Sequence, residues 1–340
     1  MGDIYYKMKH NIALIGCGYW GNNYRKLLRN NKNLSLDYIC DLNLDNGLDG
    51  TTKLINDYKR ILDDNSIDSV IIATPTETHY EIAKNSLNAN KHILIEKPMT
   101  MNSKESRGLI KIAKENDRKL MVGHVFIHHP AIQYLKESID NGELGDILFM
   151  DARWLGYGIV REKENVLWDL APHNLSLFLY LNKTKPRSIN SFAYSLKGIS
   201  NDKEDLAQLS LKFEGGNPIG CLNVSWIHPQ KIRELTVVGN KKMAVFNDTS
   251  NEKLTFYNID SEDPSKVDQE KYSKYKKISS SFSPNLKGIS PLESQCNNFF
   301  ESIEQDKNPL SDGENGLEVV RLLEYAQESI DNKGKEILIK

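Results

Sequence analysis

Long apolar runs are missing from this 340-residue chain. A membrane-spanning helix needs about 20 consecutive apolar residues, so the sequence excludes an integral membrane protein built on such helices. Residues 1–10 are mostly polar and lack the apolar stretch of a secretory signal. We therefore expect a soluble, cytoplasmic protein with no membrane partner.

Cysteine is also scarce, because the chain has only Cys17, Cys40, Cys221 and Cys296, far apart in the sequence. No two of them have the short spacing of a zinc site, and their scatter does not suggest a disulfide framework. We expect reduced, mostly buried thiols and no bound metal.

An excess of charge of either sign is absent as well, since 44 basic and 46 acidic side chains leave a net charge of -2. Such a chain has no general attraction for phosphate backbones, and nucleic acid is not an expected partner. The hydrophobic fraction of 39% and the charged fraction of 26% are ordinary for a globular protein. At this length we expect two domains.

What the sequence does contain is a strand, a glycine turn and a helix in immediate succession. Asn11 to Ile15 is apolar, and apolar residues recur at helical spacing after residue 21. Between them lies the pattern G-x-G-x-x-G, which is typical of a dinucleotide-binding turn. Its glycines permit the tight turn, the approach of a pyrophosphate and the packing of helix on strand. The expected cofactor contacts here are Gly16, Gly18, Tyr19, Trp20 and Gly21.

A second apolar strand, Leu36 to Cys40, ends in Asp41 about twenty residues beyond the last glycine. A carboxylate at this place binds the ribose hydroxyls of NAD and repels the 2′-phosphate of NADP. We therefore expect NAD, with NADP disfavoured. The alternative is that Asp41 merely caps a loop at the strand end.

Two further strands carry polar residues at their carboxyl ends, where ligands bind in an open parallel sheet. Ser69 to Ala73 precedes a Thr-Pro-Thr run and a helix from His79 to Ala89, and Ile93 to Ile95 precedes Glu-Lys-Pro. The alternative for Thr-Pro-Thr is an ordinary turn and helix cap. The candidate cofactor contacts at these ends are Thr74, Pro75, Thr76, His79, Glu96 and Lys97.

The strands and helices end near residue 123, after a helix from Ser103 to Asn116 and a strand from Leu120 to Val122. We predict a Rossmann dinucleotide-binding domain over residues 1–123 and an α+β domain over 124–340, so the fold class is α/β. In the second domain we predict a helix from Pro130, a strand from Asp146 to Ala152 and then a loop.

A buried helix is predicted to begin at Pro172, with His173 in its first turn and Asp169 just before it. Alternating strands over 191–259 predict a mainly antiparallel sheet, and we interpret 260–290 as a surface loop. Two closing helices are predicted over 291–305 and 313–331. The open face of the sheet would need cover, and a second subunit is a natural solution, so we expect a homo-oligomer.

The candidate catalytic residues are Lys97, Asp169 and His173. Oxidation of an alcohol by hydride transfer needs a base that titrates near neutrality, for which His173 is the candidate. Asp169, four residues earlier, can orient the imidazole or hold a substrate hydroxyl, and Lys97 can stabilise negative charge on the reacting oxygen. Taken singly, His173 could be a helix-cap or core histidine and Lys97 a solvated loop lysine.

The ordered motifs G-C-G-Y-W-G, A-T-P, E-K-P and D-L-A-P-H resemble those of the glucose-fructose oxidoreductase, inositol dehydrogenase and rhizopine-catabolism family (Gfo/Idh/MocA). The resemblance spans nearly the whole chain. It implies that Lys97 and His173 flank the substrate carbon with Asp169 beside them, and that the open C-terminal sheet forms dimers or tetramers. Ala171 departs from the glycine of many members, which could reshape the pocket.

Within that family, the segments 123–126 and 224–226 look most similar to bacterial enzymes of surface-polysaccharide synthesis, whose substrates are often nucleotide-linked sugars. We therefore expect an NAD-dependent sugar dehydrogenase, acting at carbon 3 of a nucleotide-linked amino sugar. Free cyclitol or hexose oxidation is the alternative, as is a sugar-responsive regulator that binds NAD without turnover.

The expected substrate contacts lie mostly in the loop before the Asp/His pair. Arginine there would suit a diphosphate. The two tryptophans could instead be core or interface aromatics. The set is His124, Arg153, Trp154, Tyr157, Arg161, Asn165 and Trp168.

Overall fold

The computed structural model describes residues 9–31, 33–43, 51–158, 160–161, 163–196, 203–260, 277–286 and 288–340. The chain divides into two compact units. The first comprises the residues up to His128 together with Ile289–Glu324, and the second comprises His129–Gly288 together with Tyr325–Lys340. The predicted division differs from this one, because it assigned the whole of 124–340 to the second domain.

The first unit contains a six-stranded parallel sheet in the order β3-β2-β1-β4-β5-β6. Its strands are buried apolar runs, as expected where helices cover both faces. The predicted strands are confirmed, and the short β3 at the sheet edge was missed because only three residues form it. The strands are β1 (His10–Ile15), β2 (Leu34–Cys40), β3 (Lys53–Ile55), β4 (Ser69–Ile72), β5 (His92–Ile95) and β6 (Leu120–Val122).

Four helices alternate with these strands, as the predicted dinucleotide-binding fold requires. They are α1 (Tyr19–Arg29), α2 (Lys59–Leu62), α3 (His79–Asn88) and α4 (Ser103–Glu115). The side chain of Asn102 caps α4 by accepting a hydrogen bond from the backbone N–H of Glu105.

The second unit begins with α5 (Pro130–Asp140), β7 (Ile147–Tyr157) and α6 (Val166–Leu181). Two predictions were wrong here. The strand β7 runs five residues further than predicted, so Arg153, Trp154 and Tyr157 lie on it and not in a loop. The helix α6 begins at Val166 and contains Pro172, so Asp169 lies in its first turn and His173 one turn later.

A nine-stranded sheet completes this unit, in the order β14-β13-β12-β11-β7-β10-β9-β8-β15. It is mainly antiparallel, as predicted, with one parallel pair between β7 and β10. The strand β14 lies within the segment interpreted as a loop. The remaining strands are β8 (Pro186–Tyr194), β9 (Leu206–Phe213), β10 (Ile219–Ser225), β11 (Ile227–Gly239), β12 (Lys242–Asn247), β13 (Leu254–Asp260), β14 (Lys277–Phe282) and β15 (Ile337–Leu338).

One face of this sheet packs against α5 and α6. A Cβ on Gly220 of β10 would lie 3.0 Å from the ring of Phe178 in α6, and Gly220 pairs with Met150 of β7. Because side chains alternate along a strand, Met150, Ala152 and Trp154 face the helices and Asp151 and Arg153 face the other way.

Two helices and a short strand close the chain: α7 (Pro291–Glu304), α8 (Gly313–Asp331) and β15 (Ile337–Leu338). The predicted closing helices are confirmed. The apolar side of α7 completes the core of the first unit, where Phe299, Phe300 and Cys296 are fully buried with residues of β1, β2 and α1. Across the described residues, no helix is both long and apolar enough to cross a membrane.

Candidate active site

The glycine turn of the first unit fits a dinucleotide. Gly16 has a positive φ of 90°, and a Cβ there would lie 2.6 Å from the carbonyl of Ala73. A Cβ on Gly21 would lie 2.0 Å from the carbonyl oxygen of Gly16. A Cβ on Gly18 would meet nothing within 4 Å, and no side-chain hydrogen bond caps α1 at this residue. The turn therefore leaves backbone amides at a helix N-terminus open to an anion.

Two aromatic residues begin α1 directly after this turn. Tyr19 is 80% exposed, and its ring meets the ring of Trp20 edge-on at a centroid distance of 6.0 Å. An exposed aromatic side chain beside the open amides can cover a ligand bound at the turn. Neither residue belongs to the core of the unit.

Asp41 lies at the carboxyl end of β2, beside the same turn. Its Oδ2 accepts a hydrogen bond from the backbone N–H of Cys17 at 2.6 Å, and its Oδ1 accepts one from that of Asn43 at 2.9 Å. The carboxylate therefore caps the loop, which was the alternative interpretation, and also brings negative charge to the turn. These two roles are compatible, since a carboxylate has about four acceptor positions.

The Thr-Pro-Thr run after β4 is held by His79. The buried imidazole contacts the carbonyl oxygen of Thr74 through Nε2 at 2.9 Å and that of Pro98 through Nδ1 at 3.0 Å. Burial lowers the pKa of His79. This histidine therefore joins the segments that follow β4 and β5, while Pro75 is exposed and Thr76 is buried.

Glu96 and Lys97 follow β5 directly. The Glu96 carboxyl is buried, accepts a hydrogen bond from the Tyr24 hydroxyl at 2.8 Å and another from the backbone N–H of Lys97 at 3.2 Å. Burial raises the pKa of Glu96, and the hydrogen bond from Tyr24 and the charge of Lys97 oppose that rise. The Glu96 carboxyl thus faces the protein interior, whereas Lys97 is partly exposed.

His124 follows β6 and is 1% exposed. Neither ring nitrogen has a hydrogen-bond partner among the described residues. Burial, followed by the charges of His128 and Lys97, lowers the pKa of His124 to about 3. The ring is therefore neutral at physiological pH.

In the second unit, α6 presents Asp169 and His173 one turn apart on one side of the helix. Both side chains are buried to more than nine-tenths. The indole N–H of Trp226, which follows β10, donates to Asp169 Oδ2 at 3.1 Å. Arg161 Nε lies 3.5 Å from Asp169 Oδ1. The carboxylate is therefore fixed on two sides, one turn before His173 on the same helix.

Trp226 is the site residue that sequence reasoning missed. The sequence analysis included it only within the segment 224–226, which resembles that of related enzymes. It lies 57 positions from Asp169 in the sequence. A tryptophan that ends a strand gives no sign of the acceptor its indole will find. Sequence spacing alone could not have paired these two residues.

The other predicted substrate contacts have different surroundings. Arg153 faces away from α6 and pairs with Glu234 and Asp151, so the structure does not bring it together with Asp169. Trp154 is 2% exposed in the core between sheet and helices. The side chain of Asn165 caps α6 by accepting a hydrogen bond from the backbone N–H of Trp168 at 3.1 Å. Of the last two predicted substrate contacts, the side chain of Trp168 is partly exposed and that of Tyr157 is largely exposed.

Two family descriptions match the chain. Residues 10–124 match the NAD-binding Rossmann fold of the Gfo/Idh/MocA oxidoreductase family, and residues 136–337 match its C-terminal alpha/beta domain. Together they cover both sets of residues described above.

Among curated proteins, UDP-N-acetylglucosamine 3-dehydrogenase of Acidithiobacillus ferrooxidans is 33% identical over 151 residues, which cover 44% of this chain and 46% of that protein. Inositol 2-dehydrogenase/D-chiro-inositol 3-dehydrogenase of Lactiplantibacillus plantarum is 30% identical over 154 residues, which cover 42% and 43%. The matched region thus spans less than half of each relative.

Among solved structures, that of GenD2 from gentamicin A biosynthesis, in complex with NAD, is similar with a TM-score of 0.83. The two chains are 19% identical, and the match covers 100% of this chain and 99% of that one. At this identity the likeness concerns the fold.

Proposed function

Because the chain belongs to the Gfo/Idh/MocA oxidoreductase family, we propose that it interconverts a hydroxyl and a ketone on a sugar with NAD as cofactor. The observation that carries this proposal is the pair of Asp169 and His173, one turn apart on α6, with the carboxylate held by Trp226 and Arg161. A fixed carboxylate beside a histidine suits proton transfer from an alcohol.

NAD is the proposed cofactor. When bound, the nicotinamide supplies the hydride acceptor in the oxidative direction and the hydride donor in the reverse. Gly16, Gly18 and Gly21 would hold the pyrophosphate at the N-terminus of α1, and Asp41 would bind the ribose hydroxyls. The negative charge of Asp41 favours NAD over NADP, because it would repel a 2′-phosphate.

His173 is the proposed acid/base. In the oxidative direction its neutral imidazole takes the hydroxyl proton, and in the reductive direction its protonated form returns that proton to the ketone oxygen. Asp169 stabilises the protonated ring and holds it, or a substrate hydroxyl, in place. Trp226 and Arg161 act through Asp169 by fixing its carboxylate.

Lys97 is proposed to polarise the reacting oxygen. Its ammonium group donates a hydrogen bond to that oxygen and stabilises the negative charge that develops on it. This assignment makes Lys97 an electrostatic partner, while His173 moves the proton.

The proposed substrate is a nucleotide-linked amino sugar oxidised at carbon 3. The relative named UDP-N-acetylglucosamine 3-dehydrogenase supports this choice. Arg161, whose side chain is 48% exposed, could reach a diphosphate from its position beside Asp169. The similarity to an inositol dehydrogenase favours a second candidate, a free cyclitol or hexose.

A substrate panel tests the proposal. Nucleotide sugars, free hexoses and cyclitols are each incubated with NAD, and absorbance of reduced nicotinamide is followed. We expect the largest rate with a nucleotide-linked amino sugar, whereas a preference for inositol would select the second candidate. If no sugar reduces NAD and no keto-sugar oxidises NADH, although NAD still binds, the protein is a regulator and not a dehydrogenase.

We propose as well that the second unit self-associates through the sheet face opposite α6. This face carries a concavity of about 290 Å³ lined by residues of β8, β9 and β10, among them Phe192, Gln208 and Asn223. Phe192 is 47% exposed and Tyr194, on the same strand, 56%. Light scattering at micromolar concentration should give the mass of two or four chains, and a monomer mass there would contradict this.

A further inference from the structure

A chain of buried hydrogen bonds runs from α7 to the residue pair Glu96–Lys97. Gln295 Nε2 donates to the Tyr24 hydroxyl at 2.7 Å, and that hydroxyl donates to Glu96 Oε1 at 2.8 Å. The other carboxyl oxygen, Oε2, accepts the backbone N–H of Lys97 at 3.2 Å. The hydrogen bonds thus link α7 through α1 to the carboxyl group that follows β5.

The burial of this chain makes it costly to break. Gln295 and Tyr24 have no exposed surface, and Glu96 is 9% exposed. A buried polar atom that loses its partner bears the full cost of its desolvation, so each link holds the next in place. The Glu96 carboxyl also lies directly over Gly123, where a Cβ would come within 3.0 Å of Oε1. Gly123 therefore leaves the space that the carboxyl occupies.

We propose that Tyr24 and Gln295 are positioning residues for Lys97, because they hold the Glu96 carboxyl in the orientation that fixes the Lys97 backbone. The link between this position and turnover rests on the proposed function, in which Lys97 polarises the substrate oxygen. The hydrogen-bond chain itself does not depend on that function. Through this chain α7, nearly 200 residues further along the sequence, fixes the position of the proposed catalytic lysine.

The charge state of Glu96 gives this hydrogen-bond chain a measurable signature. The carboxylate accepts with both oxygens, from Tyr24 and from Lys97, whereas protonation makes one oxygen a donor and weakens it as an acceptor. The titratable groups that act on it are the Tyr24 hydroxyl, the Lys97 ammonium and, across the same core, the Cys296 thiol. Burial raises the pKa of Tyr24 and of Cys296, so both remain neutral. Loss of the Tyr24 hydroxyl removes a hydrogen bond that lowers the pKa of Glu96, so that pKa should rise.

The test uses Tyr24→Phe with Tyr38→Phe as the matched control. Tyr38, in the same unit, also donates its hydroxyl to a carboxylate, Asp64 Oδ2 at 2.8 Å. That carboxylate precedes β4, whereas Lys97 follows the neighbouring parallel strand β5 at the opposite edge of the sheet. Amide hydrogen exchange at Lys97, read at single-residue level, reports the hydrogen bond to Glu96. Because Pro98 has no amide proton, Lys97 carries the last exchanging amide of any fragment that ends at Pro98.

In Tyr24→Phe we expect exchange at Lys97 to accelerate about tenfold or more, and turnover to fall about tenfold with NAD affinity unchanged. The acid limb of the turnover profile should move to higher pH. In Tyr38→Phe the exchange rate at Lys97, the turnover and the acid limb of its pH profile should all stay as in the wild type. Gln295→Met, which breaks only the outer link, should give the same changes in smaller degree, and it keeps the test open if Tyr24→Phe does not fold.

The outcomes separate the two proposals. Unchanged exchange at Lys97 in a folded Tyr24→Phe overturns the positioning role, and so does faster exchange with turnover and acid limb unaltered. Absence of turnover in the wild-type protein overturns the proposed function instead, and the exchange measurement then still decides whether Tyr24 fixes the Lys97 backbone.

Discussion

At the scale of single residues, the carboxylates of this protein differ in their partners. Asp169 accepts from an indole N–H and lies beside a guanidinium, Asp41 accepts from two backbone amides, and Glu96 accepts from a phenol and one amide. Hydrogen bonds to a charged group are stronger than neutral ones and fix its direction. Each carboxylate is therefore held in a set orientation.

Replacing Trp226 with phenylalanine tests the support of Asp169. The variant keeps an apolar ring but loses the N–H that donates to Oδ2, so kcat should fall about tenfold while NAD affinity stays unchanged. Steady-state kinetics and NAD titration measure the two quantities. In an Asp169→Asn background the same replacement should have little further effect, and an equal loss in both backgrounds would show that Trp226 acts elsewhere.

The proposed preference for NAD over NADP rests on the charge of Asp41. Asp41→Asn keeps a carbonyl oxygen that can accept from Cys17 N–H but removes the charge that would repel a 2′-phosphate. We expect the ratio of kcat/KM for NAD to that for NADP to fall about tenfold or more. A ratio equal to that of the wild type would mean that another group selects the cofactor.

At the scale of elements, the sequence predicted best where the apolar pattern was strong and bounded. The strand β6 has its predicted bounds and the helix α5 begins at its predicted first residue, since apolar spacing and turn residues delimit both. The helix α6 begins six residues before its predicted start. Pro172 suggested a first turn, yet the structure tolerates the lost hydrogen bond to the Trp168 carbonyl because Asn165 caps the helix and Val166 and Leu167 are buried.

The strand β14 and the hydrogen bonds that hold Glu96 were also not predicted, but for different reasons. Lys277–Phe282 is rich in serine and forms a strand only because β13 supplies hydrogen-bond partners. Tyr24 and Gln295 are separated by 271 residues, and each alone suits an ordinary helix. Local pattern carries no information about such pairs, which arise only when the helices pack.

The cap of α6 gives a prediction about stability. Asn165→Ala removes the acceptor for Trp168 N–H and should lower the free energy of unfolding by about 1 kcal/mol, measured by denaturant titration. Asn165→Ser keeps a capping hydroxyl and should lose less. If Asn165 instead contacts substrate, Asn165→Ser would retain stability but lose turnover.

At the scale of the whole molecule, the chain passes between its two units three times, because Ile289–Glu324 returns to the first. Lys97 belongs to the first unit, and Asp169 and His173 belong to the second. The order of the sequence motifs predicted all three as candidate catalytic residues. It did not reveal that α7, from the far end of the chain, would complete the core beneath the Glu96–Lys97 pair.

The central claim is that Lys97 and His173 perform hydride-transfer chemistry on a sugar. The direct measurement is turnover by the wild type, Lys97→Ala and His173→Ala with the best substrate, together with the NAD dissociation constant of each. We predict that both variants lose turnover by about a hundredfold or more while their NAD dissociation constants remain close to that of the wild type. Wild-type turnover in either folded variant would contradict the role assigned to that residue.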